Sequence, residues 1–175
     1  MTHKILNRLL FALALAWLML GAASTAAAQG YQVRAWPPAQ GVPEFAVRDM
    51  SGKLWRLSDL KGRAVVINFW ASWCEPCLNE MPSLQTVAEL YGPEKLLVLA
   101  VNFKQSNPTI ENFVQKTALQ LPVLPDPKGL VARQWGVKAF PTTVLVAADG
   151  KVRAVVQGEL DWTGQAAGRL LQALF

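Results

Sequence analysis

A strand that leads straight into a cysteine pair and a helix narrows the possible folds of this chain more than any other feature. Val65–Trp70 is an almost continuous apolar run rich in β-branched residues, which is typical of a central strand covered on both faces. Cys74 and Cys77 follow, and apolar residues then recur at helical spacing until Gly92. This order predicts an α/β unit with two thiols at the start of its helix.

The chain after this unit alternates between strand and helix patterns. Strands are predicted at Leu96–Asn102, Thr142–Ala147 and Val152–Val156, and helices at Pro108–Ala118, Gly129–Trp135 and Trp162–Phe175. Asp161 is a predicted cap for the last helix, and the prolines within 122–127 predict an irregular connection. Long strands separated by helices, followed by a hairpin, predict one α/β domain whose sheet has a parallel centre and an antiparallel edge.

The N-terminal 28 residues have the pattern of an export signal. Lys4 and Arg8 precede the apolar run Leu9–Leu20, and small residues ending in 26–28 (Ala-Ala-Ala) follow. We expect cleavage before Gln29, with an uncleaved anchor as the alternative, because the run is shorter than a typical membrane-spanning helix. Both alternatives place residues 31–175 outside the cytoplasm.

Two further segments precede the central strand. Residues 29–40 predict an extended segment, and 41–175 the folded domain. Two short apolar stretches, Phe45–Val47 and Leu54–Leu57, flank a Ser-Gly pair and predict an N-terminal β-hairpin extension.

Composition excludes several classes of function. The chain has two cysteines and a single histidine, His3, which lies in the predicted signal. Most zinc sites and histidine-based acid–base chemistry are therefore excluded, and neither a metal nor a cofactor is expected. The net charge of +5 comes without a run of Lys or Arg, so we expect no nucleic acid partner.

The spacing of Cys74 and Cys77 indicates redox chemistry. The first cysteine of such a pair lies at the helix N-terminus, where the helix dipole favours a thiolate. The second lies one turn further on the same face and can close a disulfide with it, and Pro76 stiffens the short ring. A zinc site needs a second pair of ligands that the chain lacks, and a structural disulfide across so short a loop restrains little chain entropy.

At these residues the chain resembles the exported TlpA/ResA/CcmG-like thiol-disulfide oxidoreductases of the thioredoxin superfamily. The matching segments are Trp73-Cys74-Glu75-Pro76-Cys77, Phe140-Pro141-Thr142, and the stretches 41–45, 57–62 and 136–143. The tetrapeptide Cys74–Cys77 and Glu80 are closest to the ResA-like branch. The resemblance implies a thioredoxin fold, in which helices flank a central mixed β-sheet.

The resemblance also implies roles for the residues near the cysteines. It implies that the Phe140–Pro141 bond is cis and lies against the pair, so that the backbone beside Pro141 can pair with an extended substrate. The implied substrate-contacting residues are Trp73, Glu75, Pro76, Phe140 and Thr142. Trp73 is expected to pack beside the pair and shield it, or else to be a plain core aromatic like Trp70.

Glu80 is implied to be a partly buried carboxylate that manages a cysteine proton. A solvated helix charge is the alternative. Cytoplasmic thioredoxins carry an acid in the strand before the motif, where this chain has Asn68. If a carboxylate base is needed, Glu80 is the remaining candidate.

The predicted reaction is thiol-disulfide exchange, in which Cys74 attacks and Cys77 resolves the mixed disulfide. Negative charge at Glu75 and Glu80 disfavours the thiolate, which favours a reductase over an oxidase or isomerase. The resemblance implies exported substrate proteins with disulfides, such as apocytochrome c, and a transmembrane thiol electron donor. We expect the protein to be a monomer. A copper-binding chaperone and a peroxidase are the alternatives from other classes.

Overall fold

A six-stranded sheet and a separate two-stranded hairpin form the framework of the molecule. The computed structural model describes residues 30–37 and 39–175. The strands are β1 (Tyr31–Ala35), β2 (Ala46–Arg48), β3 (Leu54–Arg56), β4 (Ala64–Trp70), β5 (Leu96–Phe103), β6 (Val123–Asp126), β7 (Thr142–Val146) and β8 (Val152–Gly158). The helices are α1 (Glu75–Tyr91), α2 (Asn107–Thr117), α3 (Leu130–Gln134) and α4 (Gln165–Gln172), with a 3-10 turn at Leu57–Leu60.

The order of strands in the main sheet is β1-β8-β7-β4-β5-β6. β4, β5 and β6 are parallel, because α1 and α2 carry the chain back between them. β7, β8 and β1 are antiparallel to their neighbours. The α/β class, the mixed sheet and the hairpin β2–β3 are confirmed, but the parallel strands are not central. They form one half of the sheet, out to its β6 edge, and the antiparallel strands β7, β8 and β1 form the other half.

Alternate residues of the central strand β4 supply two different cores. Val66 and Trp70 pack with α1, α2 and α4 on one face of the sheet. Val65, Ile67 and Phe69 pack on the other face with the hairpin and α3. Because side chains alternate along a strand, Asn68 lies on the same face as Val66 and Trp70, toward α1.

Three local predictions differ from the structure. Residues 123–126 form the edge strand β6 rather than an irregular connection, because an edge position tolerates the missing N–H of Pro125. Tyr31–Ala35, in the predicted extended segment, joins the sheet as the strand β1. The last helix begins only after Gly164, because Asp161 accepts hydrogen bonds from Thr163 in a tight turn and caps no helix.

The predicted export signal, 1–28, lies outside the described residues. None of the helices within 30–37 and 39–175 is long and apolar enough to cross a membrane. Cleavage before Gln29 and export therefore remain predictions.

Candidate redox site

Cys74 and Cys77 form a disulfide at the N-terminus of α1. Their Cα atoms are 5.3 Å apart, and Cys74 is the residue that caps the helix. The amide N–H of Cys77 donates to the carbonyl oxygen of Cys74 at 3.0 Å, and Pro76 lies in the first turn, where a missing N–H costs no hydrogen bond. Cys74 is 6% exposed and Cys77 is fully buried, so Cys74 is the more accessible of the two sulfurs.

A polar network holds the turn that precedes Cys74. The side-chain oxygen of Gln105 accepts from the amide N–H of Ser72 at 2.7 Å, and its nitrogen donates to the Ser72 hydroxyl at 2.7 Å. Asn102, at the end of β5, donates to the same Gln105 oxygen at 2.9 Å. The parallel neighbour of β4 therefore fixes the turn that presents the first cysteine to the helix N-terminus.

The Phe140–Pro141 peptide bond is cis, as the resemblance implied. The carbonyl oxygen of Pro141 accepts from the amide N–H of Gly158 at 2.9 Å, which ties this loop to β8. The Thr142 hydroxyl donates to the carbonyl oxygen of Ala139 at 2.8 Å. These two hydrogen bonds fix the loop on both sides of the proline.

Aromatic rings connect this loop to the cysteine pair. Trp73, which precedes Cys74, meets the ring of Phe140 edge-on, with centroids 5.8 Å apart. Phe140 in turn packs on Phe103 at 4.7 Å. The row Trp73–Phe140–Phe103 therefore runs from the cysteines past the cis-proline.

Trp73 is 64% exposed, so it is not a core aromatic. Its ring lies against that of Phe140. Trp70 is fully buried, as predicted for a core residue. Glu75 is exposed and Pro76 is half-buried, which places both at the surface next to Cys74.

Glu80 lies one helical turn beyond Cys77 and is only 2% exposed, so it is not a solvated helix charge. Its Oε1 accepts from the side-chain nitrogen of Asn68 at 2.7 Å. Its Oε2 accepts from the backbone N–H of Leu160 and from the indole N–H of Trp162, each at 3.3 Å. The carboxylate therefore receives hydrogen bonds from β4 and from the segment between β8 and α4.

Burial raises the pKa of Glu80 to about 7. The hydrogen bonds from Leu160, Trp162 and Asn68 lower this pKa, and the nearby charge of Glu159 raises it, but burial has the largest effect. A carboxyl with this pKa can both take up and release a proton near neutral pH. That is the property required of a group that exchanges protons with a thiol.

The partners of Glu80 are the functional residues that the sequence reasoning missed. The side-chain nitrogen of Asn68 also donates to the Thr143 hydroxyl at 2.9 Å, so the network includes β7. Asn68 had a signal, because it is the one polar residue in an otherwise apolar strand and a buried amide needs partners. The sequence gives no comparable signal for Leu160 and Trp162. Neither residue type predicts that a backbone N–H or an indole N–H donates a hydrogen bond to a distant carboxyl.

The described part of the chain contains no group of three or more His, Cys, Asp and Glu side chains that could hold a metal ion. A disulfide at the N-terminus of α1, with a buried carboxyl one turn beyond Cys77, is an arrangement that supports disulfide exchange.

Comparison with known proteins gives long matches. Residues 38–155 match the AhpC/TSA family. Thiol-disulfide oxidoreductase ResA of Bacillus thuringiensis subsp. konkukian is 34% identical over 155 residues, which are 87% of this chain and 90% of that protein.

Two solved structures are similar over most of their length. The exposed lipoprotein thioredoxin of Streptococcus pneumoniae superposes with a TM-score of 0.66 at 32% identity, over 75% of this chain and 99% of that chain. A DsbF homologue from Corynebacterium diphtheriae superposes with a TM-score of 0.68 at 25% identity, over 86% and 96% of the two chains.

Proposed function

This chain belongs to the AhpC/TSA family and is a thioredoxin-like thiol-disulfide oxidoreductase, and on that premise we propose that it acts outside the cytoplasm as a reductase of disulfides in other exported proteins. The observation that carries this proposal is the Cys74–Cys77 disulfide at the start of α1, with one sulfur near the surface and a buried carboxyl one turn further on. The predicted export signal supports the location, and the charges near the sulfurs support the direction.

The cycle begins at the reduced pair. The thiolate of Cys74 attacks one sulfur of the substrate disulfide, that S–S bond breaks, and the departing substrate thiolate takes a proton. The thiolate of Cys77 then attacks the Cys74 sulfur of the mixed disulfide and releases the second substrate thiolate. The substrate gains two electrons and the Cys74–Cys77 pair loses them. The greater accessibility of Cys74 supports its role as the attacking residue.

Glu80 takes the proton that Cys77 must lose before it attacks. Burial leaves Cys77 without solvent contact, so a nearby internal group has to accept its proton. Glu80 follows it by one turn on the same helix, and its pKa of about 7 suits it to accept and return a proton near neutral pH. This role rests on the position and environment of Glu80.

The substrate lies as an extended strand along the cis-proline loop. Pro141 offers no N–H, and the backbone beside it can pair with a strand of this kind, whereas Thr142 itself is buried within β7. Trp73 and Phe140 provide an exposed aromatic surface beside it, and Glu75 and Pro76 border it on the helix side. A monomer is sufficient for this arrangement, because every element of the site comes from one chain.

Direction follows from the charges near the sulfurs. An oxidant stabilises its reduced thiolate, whereas the carboxylates of Glu75 and Glu80 disfavour negative charge at Cys74 and Cys77. After each cycle the pair must be reduced again, and outside the cytoplasm a transmembrane thiol donor supplies the electrons. Apocytochrome c, whose haem-binding cysteines must be reduced, is the proposed substrate.

The decisive experiment is the reduction potential of the Cys74–Cys77 pair, measured by equilibration with a thiol redox buffer. A reductase has a value near or below about −240 mV, toward the thioredoxin end of the scale. A value near roughly −120 mV makes the protein a disulfide donor and overturns the direction. If no disulfide forms at any potential, the redox function fails and a copper-binding chaperone replaces it.

Matched cysteine variants test the order of the two attacks. Cys77→Ser leaves the attacking thiolate in place, so it accumulates a mixed disulfide with a substrate protein. Cys74→Ser lacks the attacking thiolate and is expected to trap little. The opposite pattern of trapping contradicts the roles assigned to the two residues.

A further inference from the structure

The buried side-chain amide of Asn68 makes hydrogen bonds to described residues through its nitrogen and not through its oxygen. Its nitrogen donates to Glu80 Oε1 at 2.7 Å and to the Thr143 hydroxyl at 2.9 Å. Its oxygen is buried and has no hydrogen-bond partner among the residues that the structure describes. A buried carbonyl oxygen without a partner carries a desolvation cost, so an amide in this position calls for an explanation.

The hydrogen bonds of Glu80 determine which of its oxygens can carry a proton. Oε2 accepts from the backbone N–H of Leu160 and the indole N–H of Trp162, and both groups can only donate. A proton on Oε2 would point at two donors. The neutral carboxyl therefore keeps Oε2 as its carbonyl oxygen and carries its proton on Oε1, which faces Asn68.

When Oε1 is protonated, the Asn68 nitrogen that faces it cannot accept its proton in a hydrogen bond. In the arrangement described, a nitrogen that donates faces Oε1, which suits a carboxylate. Once Oε1 carries a proton it becomes a donor itself, and two donors then face each other. In the oxidised protein, with the Cys74–Cys77 disulfide closed, no thiolate is present to take that hydrogen bond.

We propose that Asn68 is a positioning residue whose side-chain amide turns over each time Glu80 gains or loses its proton. With Glu80 ionised, the Asn68 nitrogen donates to it. With Glu80 neutral, the Asn68 oxygen takes the place of the nitrogen and accepts the proton of Oε1. This proposal rests on the proposed role of Glu80 as the group that exchanges a proton with Cys77.

Thr143 allows both orientations of the amide. A hydroxyl can donate or accept, so it accepts from the nitrogen of Asn68 in one orientation and donates to its oxygen in the other. The number of hydrogen bonds to Glu80 and Thr143 is therefore the same in both orientations. In each orientation the other end of the amide makes no hydrogen bond to a described residue: this end is the oxygen when Glu80 is ionised and the nitrogen when it is neutral.

The identity of the residue at this position follows from the same argument. An aspartate would place a second carboxylate against Glu80, and a leucine could neither donate nor accept. Glu159, which is exposed, is the other charge that acts on Glu80, and its effect does not depend on how the amide is oriented. Asn68 is therefore the partner that changes its hydrogen bonding with the state of the carboxyl.

The direct test is NMR of the oxidised protein through the titration of Glu80. The coupling between the Asn68 side-chain nitrogen and the Glu80 carboxyl carbon, transmitted through their hydrogen bond, is expected above the midpoint of the titration. Below the midpoint it is expected to disappear, while the Asn68 amide resonances shift with the same midpoint. A coupling that persists after Glu80 is protonated overturns the proposal.

Two variants test whether Asn68 controls the titration of Glu80, while the NMR coupling tests whether its amide turns over. Asn68→Leu removes the hydrogen bond to Glu80 in both protonation states. The bond to the ionised form is charge-assisted and the stronger of the two, so we expect the midpoint of Glu80 to rise by about one pH unit. Thr143→Val removes a bond that is made in both orientations, so the midpoint should stay within about 0.3 pH units. An unmoved midpoint in Asn68→Leu, or equal shifts in both variants, contradicts the proposal.

The outcome also distinguishes the two proposals. If the amide follows Glu80 but Glu80→Gln resolves mixed disulfides at the normal rate, the switch stands and the proton role of Glu80 fails. If Glu80→Gln is slow but the amide does not follow the titration, the proton role stands and the switch fails.

Discussion

Glu80 and Asp126 are the two buried carboxylates of the described chain, and they are surrounded differently. Glu80 is 2% exposed and Asp126 is 3% exposed. Each Asp126 oxygen accepts one backbone N–H at the start of α3, from Leu130 at 2.8 Å and from Ala132 at 2.9 Å. Glu80 has its shortest bond, at 2.7 Å, to the side chain of Asn68, and its bonds to backbone and indole N–H groups are longer.

The two carboxyls differ in whether the group that donates to them can also accept a hydrogen bond. The donors to Asp126 are backbone amides that cannot reverse, so this carboxylate joins β6 to α3 and is only an acceptor. The short bond to Glu80 comes from an amide whose other end accepts, so this carboxyl has a partner in both protonation states. Two carboxyls that are buried to the same extent therefore differ in their donors, and this difference separates the proposed proton-exchanging group from one that links two elements.

The largest effect on stability is expected for Asp126→Ala. The change leaves two buried backbone N–H groups without acceptors, and it should lower the free energy of unfolding by about 4 kcal/mol. Urea denaturation measures this loss. A loss below about 1 kcal/mol would show that water or a neighbour replaces the carboxylate, and the contrast with Glu80 would lose its basis.

Glu80→Gln should slow the resolution of the mixed disulfide about 100-fold at pH 7, because the variant cannot accept the proton of Cys77. Stopped-flow kinetics with a disulfide peptide measure this rate. Asp126→Asn is the matched control, since it also neutralises a buried carboxylate, and it should change the rate less than about threefold. Equal slowing in both variants would contradict a special role for Glu80.

The stability of the oxidised protein should fall as the pH rises from 5 to 8. The pKa of Glu80 is raised from 4.5 to about 7 in the folded state, so the folded protein holds this proton more tightly than the unfolded chain. The resulting stabilisation is complete below the unfolded pKa and is lost as the pH passes the folded pKa.

The loss over this range should be about 2 kcal/mol for the wild type relative to Glu80→Gln. Denaturation of both proteins at several pH values isolates the contribution of this group, because their other titrating groups are the same. Parallel pH curves for the two proteins would contradict a raised pKa at Glu80.

The smallest effect is expected for Trp162→Phe. It removes the indole N–H that donates to Glu80 Oε2 at 3.3 Å, a bond that favours the ionised form. The midpoint of Glu80 should rise by about 0.5 pH units, measured by carboxyl NMR. A larger shift than in Asn68→Leu would mean that the fixed donors, rather than the reversible one, control this carboxyl.

The sequence predicts best where the pattern is local. The strand Val65–Trp70, the helix that begins beside Cys74, and the pairing of the hairpin all follow from neighbouring residues, and the structure confirms them. The strands β1 and β6 could not be predicted in this way. They are the two edge strands of the sheet, and no local sequence pattern shows which segment pairs at an edge. Prolines in a short segment argue against a strand, because they lack the N–H that a central strand uses. An edge strand such as β6 can do without that N–H on its open side.

The environment of Glu80 could be predicted only in part. A family resemblance implied its burial, but its partners Leu160 and Trp162 are 80 and 82 residues away in the chain. Nothing in the local sequence brings the segment after β8 against α1. The exposure of Trp73 was missed for a related reason, since a tryptophan beside a buried strand suggests burial and only the fold shows that its ring lies against Phe140.

The pairing of β1 with β8 determines how the protein can be attached to anything else. Tyr31 lies opposite Gly158, whose N–H donates to Pro141, so the chain enters the domain at the edge of the redox site. A fusion partner or a surface linkage joined ahead of Gly30 would lie next to the cis-proline loop, where we propose that substrate binds. For immobilised or tagged forms of this enzyme, the C-terminus is therefore the better point of attachment.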